Sequence, residues 1–207
     1  MAGTESVCSH CDPHEIVRCG GAAGETGSRM NGVVWRVGDK GDRERLESFT
    51  CCPADHLPRR PCDRPWAHEV QTYFRRDAIK SSNRYRLSHD QRLLLVMDGP
   101  VLVGAAVHAL TDADDPAGLR ERSLVAYAVA LDYHGKSLSD GCRASTAVLD
   151  AVVTDIASRH GEEQVVFLHA LVAPANEASR TCLRRYGLPP HGKDNSGQYV
   201  LHSARIC

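Results

Sequence analysis

The sequence predicts a mixed α/β domain, and three observations carry that prediction. A strand-like run, Val125 to Leu131, passes through a small basic turn, Asp132 to Ser139, into a long amphipathic helix pattern. A second apolar run, Val165 to Val172, ends at Pro174-Ala175-Asn176 and leads into a shorter helix pattern that closes on Arg185-Tyr186-Gly187-Leu188. Upstream, Arg92 to Met97 and Val101 to Leu110 flank Asp98-Gly99-Pro100, and Asp-Gly between apolar runs is a strong hairpin cue. Strand and helix signals therefore alternate within one domain-sized stretch.

The elements follow in order. Residues 1–48 are rich in Gly and Cys, with Gly20-Gly21, Gly24 and Gly27 breaking any periodicity, and are expected to form a flexible head. Within it only Val33 to Val37 reads as a strand. Residues 49–66 carry Pro53, Pro58, Pro61 and Pro65 and are expected to be an extended connector. The ordered domain is expected over 67–207. It opens on a helix in which Glu69, Val70, Tyr73, Phe74 and Ile79 keep helical spacing. After the hairpin, Thr111 to Arg122 reads as a polar loop containing Asp112, Asp114 and Asp115. A strand over 123–131 follows, then a helix over 142–159 with Ala147, Val148, Ala151, Val152 and Ile156 on one stripe. A strand at 165–172, a helix at 176–186 and a last strand at 198–202 complete the domain.

Composition excludes some function classes. The 207 residues suit one domain with an appendage, or at most two small domains. Hydrophobic content of 42% and a mean hydropathy of -0.34 fit a globular core, and no run approaches the roughly 18 apolar residues of a membrane span. Lys and Arg total 25 against 26 Asp and Glu, which leaves no basic footprint for nucleic acid. The first residues lack a basic segment followed by an apolar stretch, so the expectation is a cytoplasmic chain without a signal peptide. Six of the nine cysteines (Cys8, Cys11, Cys19, Cys51, Cys52 and Cys62) lie in the first 62 residues. With His56 they include zinc-compatible ligand types, but the spacing is not a pair of Cys-x-x-Cys knuckles, so reduced thiols without metal are expected.

The strand, the turn His134-Gly135-Lys136-Ser137-Leu138-Ser139, the second strand with Val172-x-x-x-Asn176, and the Gly187-Leu188 ending occur in an order that resembles the Gcn5-related N-acetyltransferase family over roughly residues 67 to 203. That resemblance implies a twisted, mostly antiparallel sheet, splayed in the middle, with helices on both faces. It implies acetyl-CoA as co-substrate and direct acetyl transfer to a primary amine of a small molecule, peptide or protein. His134, Gly135, Lys136, Ser137, Leu138 and Ser139 would contact the pyrophosphate. His stands where the family has Gln or Arg, and Ser137 and Ser139 replace two small positions that are usually Gly or Ala. Oriented N–H groups at a helix N-terminus suit such an anion, and an exposed strand edge suits the amide-rich pantetheine arm. Val129, Leu131 and Asn176 would take that arm. Val129 would lie at the family's strand bulge, its N–H polarising the thioester carbonyl.

The family's general-acid Tyr falls here on Leu183, with Cys182 and Tyr186 beside it. No carboxylate lies in 125–131 to serve as base. His169 and His108 are then the best-placed titratable groups, Tyr127 could carry a proton through water, and Tyr186 is a second hydroxyl candidate. No metal site is expected. The alternative is a non-catalytic acyl-CoA-binding or protein-interaction domain on the same fold, because the acid and the loop glycines are missing. The acceptor, the acyl length and the oligomeric state, homodimer included, stay open at this stage.

Overall fold

The computed structural model describes residues 29–30, 32–53, 65–86, 88–111, 120–160 and 165–206. In chain order the elements are β1 (Arg29–Met30), β2 (Val33–Val37), α1 (Arg43–Glu47), α2 (Pro65–Arg76), α3 (Ala78–Tyr85), β3 (Arg92–Asp98), β4 (Val101–Leu110), β5 (Arg120–Val129), α4 (Ala144–Arg159), β6 (Val166–Val172), α5 (Glu177–Tyr186), β7 (Pro190–Lys193) and β8 (Val200–Arg205). They build one eight-stranded sheet in the order β1-β2-β3-β4-β5-β6-β8-β7. Every neighbouring pair is antiparallel except β5 with β6.

The central strands are apolar on both sides because helices cover both faces. Leu94, Val96, Val103, Ala106 and Leu168 pack with Val148, Val152 and Ile156 of α4 on one face. The alternate residues Leu93, Leu95 and Val107 pack with Leu46, Phe49, Phe74 and Ile79 on the other. Helix α4 sits so close to β4 that a Cβ at Gly104 would run into Val148 Cγ2 and lie 3.1 Å from the Ala128 carbonyl. Among the described residues no helix is long and apolar enough to cross a membrane.

Several expectations need correction. The described parts of the supposed loose head and of the connector are packed: β2 pairs with β3 from Val33↔Asp98 to Val37↔Leu94, Leu46 of the head is buried, and so are Phe49, Cys51 and Cys52 at the start of the connector. The boundary expected at 67 therefore falls inside the core, and residues 33–53 belong to the same body. Gln71 fixes the end of this segment, its Oε1 accepting from the Cys51 and Cys52 N–H groups at 2.8 and 3.2 Å. Burial pushes the Cys51 thiol up to about 12, so it stays protonated. The single helix expected near Trp66 is two, α2 and α3, separated at Asp77. Strand β5 begins at Arg120 and ends at Val129, and Leu131–Tyr133 forms a 3-10 turn, which takes Leu131 out of the strand. Strand β7 was not foreseen. Cys8, Cys11, Cys19, His56, Cys62, the connector over 54–64 and the Asp112, Asp114 and Asp115 loop lie outside the described residues.

Candidate active site

The central feature is a divergence of two strands. β5 and β6 pair at only four positions, from Arg120↔Val166 to Ser123↔His169. Beyond these, β5 stays with β4 as far as Val129 and β6 stays with β8 as far as Val172. A bulge lies just past the last parallel pair: Leu124 faces His108 and Ala126 faces Val107, leaving Val125 as the extra residue. A bulge bends its strand and raises its twist, which turns β5 away from β6. The bulge therefore lies four residues before Val129, where the resemblance had put it.

Val129 still faces the gap. The Ala130 N–H bonds the Val103 carbonyl at 2.9 Å on the β4 side, so by strand alternation the N–H and C=O of Val129 point to the opposite edge. There the Val129 carbonyl accepts from His134 Nε2 at 3.0 Å. The wall formed by β6 ends at α5. Asn176 caps that helix by accepting from the Ser179 N–H at 3.2 Å, and Gly187 (φ 101°) closes it in the left-handed conformation.

His169 lies at the apex of the divergence. Its cross-strand partners are Ser123 and Ser203, and such partners share a face, here the one away from α4. Burial lowers the His169 pKa, with Glu121 pulling weakly the other way, so a neutral imidazole capable of taking a proton is favoured near neutrality. Tyr127 belongs to the opposite face. Its hydroxyl donates to the Ser179 carbonyl at 3.3 Å, reaching α5 across the floor of the gap. Burial first, and neighbouring Cys182 second, raise its pKa and keep it protonated.

The other candidates have structural partners. His108 is fully buried, with Nδ1 3.0 Å from Arg122 Nη1 and Nε2 3.0 Å from Asp155 Oδ2. A guanidinium only donates, so Nδ1 accepts and the ring proton on Nε2 goes to Asp155. Burial also lowers the His108 pKa, which leaves it neutral. Arg92 pairs with Asp155 at 2.7 Å, and Arg122 and Arg159 both pair with Asp90, so this network fastens the closed end of the sheet rather than serving the gap. The Tyr186 hydroxyl donates to Asp150 at 2.6 Å, tying α5 to α4. Leu183, at the expected acid position, is fully buried.

The 134–139 turn differs most from expectation. Positive φ falls on Gly135 (73°) and Gly141 (83°), so neither Ser137 nor Ser139 is strained. The loop folds back on itself: Ser137 bridges Arg143, the Leu138 N–H bonds the Cys142 carbonyl at 2.8 Å, and the Cys142 N–H bonds Asp140 Oδ1 at 2.8 Å. Leu138 is buried in the core. Helix α4 starts only at Ala144, five residues past Ser139. Ser139 is already occupied by an anion, because Asp98 accepts from its Oγ at 2.6 Å and from its N–H at 3.1 Å. Sequence reasoning took Asp98 only as a turn residue; no local signal links positions 41 residues apart. Among the described residues no group of three or more His, Cys, Asp or Glu is arranged to hold a metal.

A sheet opened along one short parallel seam, with helices on both faces, is the fold of the Gcn5-related N-acetyltransferases. No family model matches the chain, and no curated protein is similar to it in sequence. Solved structures are similar. AAC(6')-Ib in complex with ribostamycin and coenzyme A is 14% identical, over 84% of this chain and 94% of that one, with a TM-score of 0.56. Mycobacterium smegmatis RimJ in complex with CoA-disulfide is 16% identical, over 87% and 83%, with a TM-score of 0.56. The GNAT domain of S. lividans PAT is 18% identical, over 84% and 90%, with a TM-score of 0.53.

Proposed function

We propose that this chain is an acetyl-CoA-dependent N-acetyltransferase that moves the acetyl group directly onto a primary amine. The observation that carries the proposal is the divergence of β5 and β6 beyond Ser123↔His169, with a half-buried His at its apex. Two facing strand edges give an extended amide arm somewhere to pair, and two structural relatives hold coenzyme A or its disulfide. In this reading the arm lies against Val129 and Asn176 and passes Leu131, and the diphosphate meets the turn from His134 to Ser139.

The chemistry assigned to these residues is short. His169 takes the proton of the incoming ammonium, and the neutral amine nitrogen attacks the thioester carbonyl carbon. Charge developing on the carbonyl oxygen is met by a backbone N–H, assigned to Val129. The intermediate then collapses with cleavage of the C–S bond, the second proton of the nitrogen passes to the departing sulfur by way of the Tyr127 hydroxyl, and the amide and the CoA thiol are released. Tyr186 is left out of the chemistry because the Asp150 carboxylate holds its hydroxyl at 2.6 Å, whereas the Tyr127 hydroxyl makes only a 3.3 Å bond to a backbone carbonyl.

A buried Leu183 and an anion already on Ser139 favour a second reading, an acyl-CoA-binding domain without turnover. Calorimetric titration of acetyl-CoA, followed by thiol release with a panel of amines, separates the two. Micromolar binding with amine-dependent thiol release supports the transferase. Binding without release leaves the second reading, and no binding overturns both.

A further inference from the structure

Helices α1, α2 and α3 cover only part of the sheet face that carries His169. Their apolar cluster draws its strand residues from β3, β4 and β5 and takes none from β6 or β8. The face of β6 and β8 beside His169 is left without a helix among the described residues, and its side chains are sorted by row. One row past His169, Leu171 is 50% exposed and is paired with Leu201, and across the gap the bulged Val125 is 48% exposed. Leu171 and Leu201 thus lie on the His169 face beside the widening gap, and Val125 is exposed at the bulge across it.

One row before His169 the chemistry changes. Glu121 is paired with Phe167, and Phe167 with Arg205 on its other side. Glu121 lies diagonal to His169, about 7–8 Å away at the backbone and within reach of long side chains. Its carboxylate is exposed and belongs to the same face.

We propose that this face takes the acyl acceptor, and that the acceptor is a primary amine with an apolar body. Glu121 anchors the ammonium beside His169, and Leu171 and Leu201 receive the body one row further along, about 6.6 Å away. That distance suits a short alkyl spacer between amine and ring, as in 2-phenylethylamine. An aminoglycoside fits poorly, because its hydroxyl-covered rings would lie against the aliphatic side chains of Leu171 and Leu201. The inference rests on the N-acetyltransferase reading.

The test compares 2-phenylethylamine and kanamycin as acceptors for the full chain, read as thiol release from acetyl-CoA, with calorimetry of acetyl-CoA in parallel. The expected kcat/KM for 2-phenylethylamine exceeds that for kanamycin about 100-fold. Leu171→Glu, at an exposed position, lowers it at least tenfold with acetyl-CoA affinity unchanged. Glu121→Gln raises KM for 2-phenylethylamine about tenfold with little change in kcat. Equal or better turnover of kanamycin, or no effect of either variant on 2-phenylethylamine, overturns the inference while the transferase reading stands. Thiol release with neither of these amines but with another amine of the panel overturns it while the transferase reading stands; release with no amine of the panel, despite intact acetyl-CoA binding, is the failure of the transferase reading itself.

Discussion

Asp98→Asn is the perturbation that most directly probes the turn proposed to meet a diphosphate. In the wild type both Ser139 donors point at the Asp98 carboxylate, at 2.6 and 3.1 Å. A diphosphate arriving at the turn must displace this carboxylate or sit beside a like charge. Two unit charges 4 Å apart repel by about 1 kcal/mol in water, and a second charge near 8 Å adds about half of that. Screening at physiological salt removes part of the sum, because the Debye length is then about 8 Å. Asn keeps the size and one acceptor but removes the charge. A net gain of about 1 kcal/mol corresponds to roughly fivefold tighter CoA binding. The assay is calorimetric titration of CoA into both proteins, with pantetheine as the control that lacks the diphosphate. CoA should bind more tightly to the variant, pantetheine should not, and the gap between the proteins should narrow at high salt. Unchanged or weaker CoA binding by a folded Asp98→Asn protein would refute the reasoning.

Other expectations follow from the geometry. His169→Gln should lower amine-dependent thiol release by about 10²- to 10⁴-fold while acetyl-CoA affinity holds. Because burial depresses the His169 pKa, the acid limb of the wild-type kcat/KM profile should lie below the ordinary His value near 6.5, and that limb should vanish in the variant. Gly104→Ala should cost about 1–3 kcal/mol in urea unfolding, since its Cβ has no room beneath Val148; an unchanged midpoint would contradict the close approach of α4 to β4. His108 resists protonation in the folded state, so the unfolded chain binds that proton first. Its neutral form contributes stability that is complete above about pH 6.5 and declines as pH falls below it. Comparing urea midpoints of wild type and His108→Gln between pH 7.5 and 5.5 checks this, because their difference should shrink as pH falls. Asp155, held near 2 against the cost of burial by His108 and Arg92, should retain its contribution until the pH drops below about 4.

What the sequence made legible was local. Asp98-Gly99 announced the β3–β4 hairpin because a turn of that type needs the positive φ that Gly99 adopts, 58°. Asn176 and Gly187 announced both ends of α5 through cap chemistry. Pairing across long stretches of chain was not legible. Val33–Val37 stands in a Gly-rich, Cys-rich surrounding that reads as loose, yet its partners are Leu94 to Asp98, some sixty residues on. Arg122 looked like the end of a polar loop, although it is buried against Asp90, His108 and His160, drawn from three other parts of the chain. The turn at 134–139 was identified as a motif, but its closure onto Asp98 was not, because nothing in six residues records which carboxylate lies above them. For the same reason His169 could be named as a candidate, while its place at the apex came only from the β5–β6 register.

The short parallel seam also divides the chain as a string of letters. Every strand on one side of it lies before residue 130, and every strand on the other lies after residue 165. Each wall of the gap is therefore written in one uninterrupted segment, and the two meet along four residue pairs and through α4. A library that shuffles only the segment after 165 would vary the Leu171 side of the acceptor face and the α5 cap while leaving Val129 and the 134–139 turn untouched. The segment after 165 thus carries Leu171, Leu201 and Asn176, while Glu121, Val129 and the 134–139 turn all lie before it.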